Sequence, residues 1–316
     1  MSRFVVWVSA VTLTVLASTT ARGQDYPSGP IRISTAQAGG GNDFVARLIA
    51  PPLSAILGQQ VIIYNRGGLI SAETVSKAPP DGYTILLTGS SFWISPFFRD
   101  VPYDPIRDFV PISQATRTPN VLVVHTSLPV KSVRELIALS RAHPGEINYA
   151  ASSIGSPPHM SAELFRLMAR VNMVLINFKG TGPSITAILG GHVEVMFAPA
   201  GAIAPHLTSG RLRALAVTSE QPTALVPGLP PVAATVPGYE VVSIIGFLAP
   251  AKTPEALVHR LSREIARVLQ RPDVRERFLK AGSEAIGSTP EQFGGAMKSE
   301  IAKWGKLIKK AKLRAE

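Results

Sequence analysis

The chain of 316 residues has a formal net charge of +11 and contains no cysteine. The lack of cysteine excludes disulfides, thiolate catalysis, cysteine-ligated metals and a lipid anchor on a signal-peptide cysteine. The length suits two lobes of ordinary domain size that together bury a large core. Much of the positive charge lies in the last residues, where Trp304 is the only nearby aromatic, so we predict a solvated helix face and no nucleic-acid partner.

The N-terminus has the three parts of a secretory signal. Arg3 provides the charged start, an apolar stretch continues to Leu16, and Ala21-Arg22-Gly23 has the small-x-small pattern of a cleavage site. The apolar stretch is shorter than the ~20 residues that span a bilayer, and no later stretch reaches that length. We therefore predict an exported protein whose signal peptide, residues 1–23, is cleaved.

Strands and helices alternate along the rest of the chain. Near-continuous apolar strands between amphipathic helices predict an α/β architecture with mainly parallel sheets. The proline-rich residues 221–238 predict a loop or crossing segment. Strands are predicted at 31–34, 61–64, 84–87, 120–124, 147–150, 173–176, 193–197, 214–217 and 241–248, and helices at 44–49, 72–77, 133–142, 159–170, 183–189, 255–270, 273–281 and from 290 to the C-terminus.

Four of the strand-to-helix turns are rich in glycine, serine and threonine: residues 38–43, 88–91, 151–156 and 179–184. In open α/β sheets, ligands bind at the carboxyl ends of the strands, where such turns lie. The unpaired N–H groups of a helix's first turn suit an anion, so several helix starts in one cleft would hold a carboxylate without an arginine. Ordinary helix capping explains any single turn. Their number predicts a ligand cleft.

Enzyme motifs are weak by comparison. The sequence has no G-x-S-x-G elbow and no phosphate-binding Gly-Lys-Ser/Thr, and Gly39-Gly40-Gly41 lacks the dinucleotide spacing. Ser156 and His159 resemble a nucleophile and base, but at a helix start they more simply form a cap. The six histidines show no metal-ligand spacing. We predict a binding protein without cofactor or metal, and retain an exported α/β enzyme acting on a small carboxylic acid as the alternative.

The motifs along the mature chain resemble those of the Bug (Bordetella uptake gene) family, the periplasmic solute-binding proteins of tripartite tricarboxylate transporters. The resemblance extends over essentially all of the chain after the signal. Its landmarks are Tyr26-Pro27, Gly39-Gly40 with Asp43 and Arg47, Leu57-Gly58-Gln59, Asn65-Arg66, Pro80-Asp81-Gly82-Tyr83-Thr84, Tyr103-Asp104-Pro105, Asp108-Phe109, Asn148-Tyr149-Ala150, Lys179-Gly180, Gly190-Gly191, Leu212 to Thr218, Leu248-Ala249-Pro250-Ala251 and Lys303-Trp304-Gly305.

The resemblance implies a two-lobed α/β fold of the type II, Venus-flytrap kind, with a ligand cleft between lobes that close about a hinge. Lobe I would comprise residues 24–121 and 245–316, and lobe II residues 122–244. The implied function is periplasmic binding of a small organic acid and its delivery to the membrane permease subunits of a tripartite tricarboxylate transporter. A monomer is expected, and a ligand-sensing partner of a membrane receptor remains an alternative role.

The resemblance also implies the ligand contacts, which we carry over by position. For Asp43 we favour a structural role, since the helix dipole alone favours an acidic residue in the first turn, and Lys179 has an alternative role as a solvated turn residue. The candidate ligand-binding residues are Ala38, Gly39, Gly40, Asn42, Asp43, Ser90, Ser91, Ser152, Ser153, Ser156, Lys179, Gly180, Thr181 and Ala198.

Departures from the family pattern bear on the ligand. Thr35-Ala36-Gln37-Ala38 replaces the usual Pro-Phe-Pro-Pro, which predicts a wider cleft with an added amide at Gln37. Ala198-Pro199 stands where many members have Asp-Asn. Because that aspartate would suit a ligand ammonium group, its absence predicts a carboxylate without an amino group. Phe92 and Trp93 would form an aromatic wall or, as we favour, part of the core.

Overall fold

Strands and helices alternate in the computed structural model, which describes residues 26–152, 154–207 and 209–311. The strands are β1 (Ile31–Thr35), β2 (Val61–Asn65), β3 (Thr84–Gly89), β4 (Phe109–His125), β5 (Asn148–Ala151), β6 (Val174–Asn177), β7 (Val195–Pro199), β8 (Leu212–Val217), β9 (Val242–Pro250) and β10 (Glu284–Ala285). The helices are α1 (Gly41–Leu57), α2 (Gly68–Ser76), α3 (Ser91–Ile94), α4 (Val133–Ala142), α5 (Pro157–Ala169), α6 (Thr181–Leu189), α7 (Ala200–Leu207), α8 (Glu255–Leu269), α9 (Pro272–Lys280) and α10 (Pro290–Ala311), with 3-10 turns at Ser95–Phe97 and Val232–Ala234.

The ten strands of the described residues form one sheet in the order β2-β1-β3-β9-β4-β7-β5-β6, with β8 and β10 paired to β4. The long strand β4 belongs to both halves of this sheet. Its residues 109–119 pair with β9, and Asn120–Val124 pair with β7. We call β2, β1, β3, β9 and residues 109–119 the first half, and residues 120–125, β7, β8, β5 and β6 the second half.

The predicted parallel sheet is correct for the outer strands and wrong for the centre. β1 pairs in parallel with β2 and β3, and β5 with β6 and β7. β9 instead lies antiparallel between β3 and β4, and β4 is antiparallel to β7 and β8. Parallel neighbours need a crossover, usually a helix. No crossover helix connects β8 to β9. The chain returns from β8 to the first half through the predicted proline-rich connection.

Helices cover both halves of the sheet. α1 and α8 pack their apolar faces with β1, β3 and β9 into one core cluster that includes Ile49, Leu53, Phe247 and Leu261. A second cluster extends from Trp93 and Trp304 in the first half to Tyr149 and Phe165 in the second, and a third packs α6 and α7 with β7. The favoured core placement of Phe92 and Trp93 is confirmed, with exposed fractions of 4% and 1%.

Several element boundaries differ from the predicted ones. α1 continues through Pro51 and Pro52, although proline lacks the N–H that an interior helix position needs. Burial of Leu48, Ile49 and Leu53 on one side of this helix offsets the lost hydrogen bonds. The prediction missed α3, α7, β10 and the first part of β4, where polar residues interrupt the apolar ones. No helix of the described residues is long and apolar enough to cross a bilayer.

Candidate ligand-binding cleft

A cavity of about 470 Å³ lies where the two halves of the sheet face each other, and we call it the central cleft. The first half contributes the turn after β1, the start of α1, part of β9 and the segment after α9. The second half contributes the starts of α5 and α6 and the end of β7. Thr118 and Asn120 line the cleft where β4 passes from one half to the other. The other lining residues are Gly39, Gly40, Gly41, Phe44, Val45, Ser152, Ser156, Pro157, Pro158, Thr181, Pro199, Ser243, Ile245, Ala281 and Ser283.

The glycine turn before α1 is held from behind by Asp43. Gly39 has a φ of +83°, a conformation that glycine adopts without strain. Its N–H and Arg47 Nε both donate to Asp43 Oδ2 at 2.9 Å, and Asn65 Nδ2 donates to Asp43 Oδ1 at 2.9 Å. These hydrogen bonds, led by that from Arg47, lower the pKa of the Asp43 carboxyl to about 2. The charged group therefore supports the turn.

The first turn of α1 is left without a side-chain cap. Its N-cap residue is Gly40, and the hydrogen bonds of the described residues do not use the backbone N–H groups of Gly41 and Asn42. Since a helix N-terminus carries a partial positive charge as well as free donors, this end of α1 suits an anion.

The two helices of the second half present different chemistry. α5 begins with Pro157 and Pro158, which have no N–H, and the His159 N–H donates to Ser156 Oγ at 3.4 Å. This helix thus offers the Ser156 hydroxyl and two proline rings. α6 begins after Gly180, whose φ is +116° and whose N–H donates to Ser152 O at 2.9 Å. Among the described residues, the next N–H groups, of Thr181 and Gly182, donate to no protein acceptor.

The lining of the central cleft is more apolar than polar and is uncharged, since it includes neither an acidic nor a basic side chain of the described residues. Its positive potential comes from the N-termini of α1, α5 and α6, which have 17, 13 and 9 residues. Asn120 Nδ2 donates to Ser161 Oγ at 2.9 Å, and the Thr118 and Ser283 hydroxyls lie 2.8 Å apart. Such a site can hold one carboxylate through N–H groups and hydroxyls.

Sequence reasoning identified only some of these residues. Thr118, Asn120, Ser243 and Ser283 lie in strands or loops without a turn motif, so no local pattern marked them. The predicted residues that line the central cleft are Gly39, Gly40, Ser152, Ser156 and Thr181. Ala38, Asn42, Asp43 and Gly180 neighbour these residues in the chain without lining the cleft.

The remaining predicted contacts lie elsewhere. Ser90 is buried, and its hydroxyl accepts from the Ile244 N–H at 3.0 Å, which ties the end of β3 to β9. Ser91 lines a neighbouring chamber, Lys179 is exposed, and Ser153 lies outside the described residues. Ala198 is fully buried in β7, where it belongs to the core cluster of α6 and α7, and the following residue, Pro199, lines the cleft instead.

The Ser156–His159 pair has the geometry of a cap. Ser156 Oγ accepts the His159 N–H, and His159 Nδ1 accepts the Gly155 N–H at 3.1 Å. Burial lowers the pKa of His159, which favours the neutral imidazole. One of its ring nitrogens is occupied by the backbone. These contacts order the turn that precedes α5.

The paired halves and the cleft between them define a two-lobed solute-binding protein. The chain belongs to the tripartite tricarboxylate transporter receptor family, TctC, whose model matches residues 45–313. BugT of Bordetella pertussis is 34% identical over 299 residues, which cover 92% of each chain. A UPF0065 protein in the tcbD-tcbE intergenic region of Pseudomonas sp. strain P51 is 34% identical over 313 residues, which cover 97% of this chain and 93% of that protein.

Solved structures confirm the two-lobed α/β fold. The R. palustris protein Rpa4515 with adipate has a TM-score of 0.76 and 35% identity, covering 92% of this chain and all of that one. MatC from Rhodopseudomonas palustris with bound malate has a TM-score of 0.70 and 27% identity, covering 90% of this chain and 100% of that one. An unliganded TctC solute-binding protein from Polaromonas has a TM-score of 0.82 and 25% identity, covering 90% of this chain and 99% of that one. The predicted family and its solute-binding role are thus confirmed.

Proposed function

We propose that this chain is exported to the periplasm, binds a small organic carboxylate in the central cleft and delivers it to the permease subunits of a tripartite tricarboxylate transporter. The observation that carries the proposal is the pair of uncapped helix starts, at Gly41 and Thr181, that meet in an uncharged cleft. The adipate-bound and malate-bound relatives support the same ligand class.

Binding would proceed by closure of the two lobes. Donors from α1 belong to the first half of the sheet and donors from α6 to the second, so only a closed arrangement brings both sets to one carboxylate. Ligand would therefore stabilise the closed form. We place lobe I at residues 24–121 and 245–316 and lobe II at residues 122–244, with β4 near Val121–Val124 and β9 near Val242–Leu248 as the crossings.

The ligand we propose lacks an amino group. The cleft lining of the described residues contains no carboxylate to pair with an ammonium group, and Ala198-Pro199 occupies the end of β7. Burying a ligand ammonium without an anionic partner is costly. Aspartate and glutamate should therefore bind far more weakly than the matching acids, succinate and glutarate.

A thermal-shift screen tests the proposal. The full chain is expressed with export, purified, unfolded and refolded to remove any bound ligand, and heated with mono-, di- and aromatic carboxylates, with amino acids and neutral sugars as controls. A ligand at 100 times its Kd should add about 2.7 kcal/mol to the free energy of unfolding. Stabilisation by a few acids, released chemically unchanged, is expected. Stabilisation by none of them, or conversion of a bound acid, would contradict the proposal.

A further inference from the structure

A second chamber of about 580 Å³ adjoins the central cleft. The two cavities share Ser156 and Pro157, at the start of α5. The second chamber also lies between the halves of the sheet, since α3 and the following turn line one side and the β5–α5 turn and Asn177 line the other. The two cavities therefore meet at the start of α5.

The second chamber contains a cation that the central cleft lacks. Arg99 lines it and forms no ion pair among the described residues. The nearby Tyr103 hydroxyl donates to Phe92 O at 2.9 Å, so it is already engaged. The guanidinium of Arg99 thus keeps its donors for a partner with the planar, two-oxygen geometry of a carboxylate.

The backbone that carries Arg99 is fixed at the boundary between the halves. The N–H groups of Phe98 and Arg99 donate to Ser95 O at 2.9 Å and 3.1 Å. The Phe98 ring packs against Gly155 of the opposite half, where a Cβ atom would lie only 3.2 Å from the ring. The backbone of Arg99 is therefore held beside the second half, and its exposed side chain lines the second chamber.

Apolar side chains make up much of the rest of the lining. Ile94, Phe98, Ile154 and Pro157 face this chamber, together with the hydroxyls of Ser91 and Ser95. Such a lining suits methylene groups, whose burial is favourable, with polar groups needed only at the ends of the ligand.

We infer that Arg99 binds the second carboxylate of an aliphatic dicarboxylate whose first carboxylate lies in the central cleft. This inference rests on the proposed function and makes Arg99 a specificity-determining residue. The methylene chain would pass Pro157 and lie against Ile94 and Ile154. A monocarboxylate of the same length would bind without reaching the arginine.

Calorimetric titration of paired ligands tests this assignment. At each chain length from four to eight carbons, the dicarboxylate is compared with the monocarboxylate, for example adipate with hexanoate. The proteins are the wild type, Arg99→Ala, Arg99→Lys and the control Arg134→Ala, which removes an exposed arginine of α4 that has no ion pair among the described residues. Melting of each free protein checks its folding.

We expect Arg99→Ala to weaken the best dicarboxylate about tenfold or more while leaving the monocarboxylate unchanged, since a lost charge-assisted hydrogen bond has this order of effect. Arg99→Lys should retain part of the affinity, and Arg134→Ala should match the wild type. If Arg99→Ala lost affinity equally for both ligands, or lost none, the assignment of Arg99 would be overturned. Binding of the monocarboxylate would still support the proposed function in that case. Binding of neither ligand class to the wild type would overturn both.

Discussion

Asp43 is among the candidate ligand-binding residues, but it stabilises the glycine turn next to the cleft. Its two carboxylate oxygens accept hydrogen bonds from Gly39, Arg47 and Asn65, and its side chain is buried. From the sequence, a structural role for Asp43 at the helix start is favoured over a contact with the ligand. The contacts of the carboxylate support the structural role, because they orient the backbone N–H groups that line the cleft.

The pKa of Asp43 leads to a prediction about stability. Its folded-state pKa of about 2 lies below the ~3.9 of an unfolded aspartate, so its charged form adds stability above about pH 4. This contribution is lost as the pH falls towards 2. Asp43→Asn should lower the free energy of unfolding by about 2 kcal/mol at pH 7, with a smaller difference from the wild type near pH 2. Urea unfolding at both pH values measures the difference.

The matched control for this prediction is Asp100→Asn. Asp100 is exposed and takes part in no side-chain hydrogen bond or ion pair within the described residues. Its replacement should change stability little at either pH. A loss at Asp43 that stayed constant from pH 7 to pH 2 would show that the carboxylate charge is not what stabilises the turn.

Gly40 and Gly39 are adjacent but differ in what they tolerate. Gly40 has a φ of −87°, and a Cβ atom there would meet only Gln37 O at an ordinary 3.6 Å. Gly39 has a positive φ, which costs a side-chain-bearing residue roughly 1–2 kcal/mol. Gly40→Val should therefore leave the melting temperature nearly unchanged and abolish carboxylate binding, because its side chain enters the cleft. Calorimetry and thermal melting together measure this, and unchanged affinity would refute the placement of the ligand.

At the scale of elements, helix starts in the cleft differ by their first residues. α5 begins with two prolines and presents rings and a hydroxyl, whereas α6 begins with Thr181 and Gly182 and presents N–H groups. Both were predicted as ligand turns from the same glycine, serine and threonine pattern. The difference matters because a carboxylate needs donors, and the two prolines supply no backbone N–H.

Thr181 allows the role of α6 to be tested. Thr181→Val keeps the shape of the side chain and removes its hydroxyl from the cleft, so we expect ligand affinity to fall about fivefold to tenfold with little change in stability. The control is Thr186→Val on the same helix, since Thr186 Oγ1 donates to Gly182 O at 3.2 Å and does not line the cleft. Equal affinities of the two variants would show that the Thr181 hydroxyl does not contact ligand.

At the scale of the whole molecule, the halves of the sheet touch through backbone as well as side chains. Gly201, at the start of α7, lies against the segment after α9, where its Cβ would be 2.5 Å from Ala281 O. Arg117 forms an ion pair with Glu240 near the same boundary, and Lys303 Nζ donates to Glu240 O at 3.1 Å. Ala281 also lines the cleft, so this close approach borders the ligand site.

Gly201→Ala should disfavour this arrangement of the two halves. Because the added methyl group meets backbone, we expect a cost of about 1–3 kcal/mol in the closed form and a corresponding fall in ligand affinity of about 5- to 150-fold. Small-angle scattering should show less compaction with ligand than in the wild type. Gly295→Ala, where a Cβ meets nothing within 4 Å, is the control. Unchanged affinity in Gly201→Ala would mean that this contact is not part of the closed form.

Local sequence pattern determined the elements and the glycine turns of this protein. Features that depend on residues close together in the sequence were predictable. They are the apolar runs of β1, β3 and β7, the Ser132 cap of α4 and the turn at Gly39. The family followed from many such motifs in one order. The proposed ligand class depends on the same turns, since free N–H groups at helix starts are a property of each helix alone.

Only the tertiary structure decided which residues meet. Thr118, Asn120 and Ser283 line one cleft because β4 crosses between the halves and the segment after α9 folds back beside it. Ala198 is buried because both faces of β7 are covered: it packs in the cluster of α6 and α7, and Phe197 packs in the second cluster on the opposite face. Arg99 lines the second chamber because Phe98 packs against Gly155, 57 positions along the chain. Such contacts depend on how separate elements pack, and a local sequence pattern does not predict which distant residue a side chain will meet.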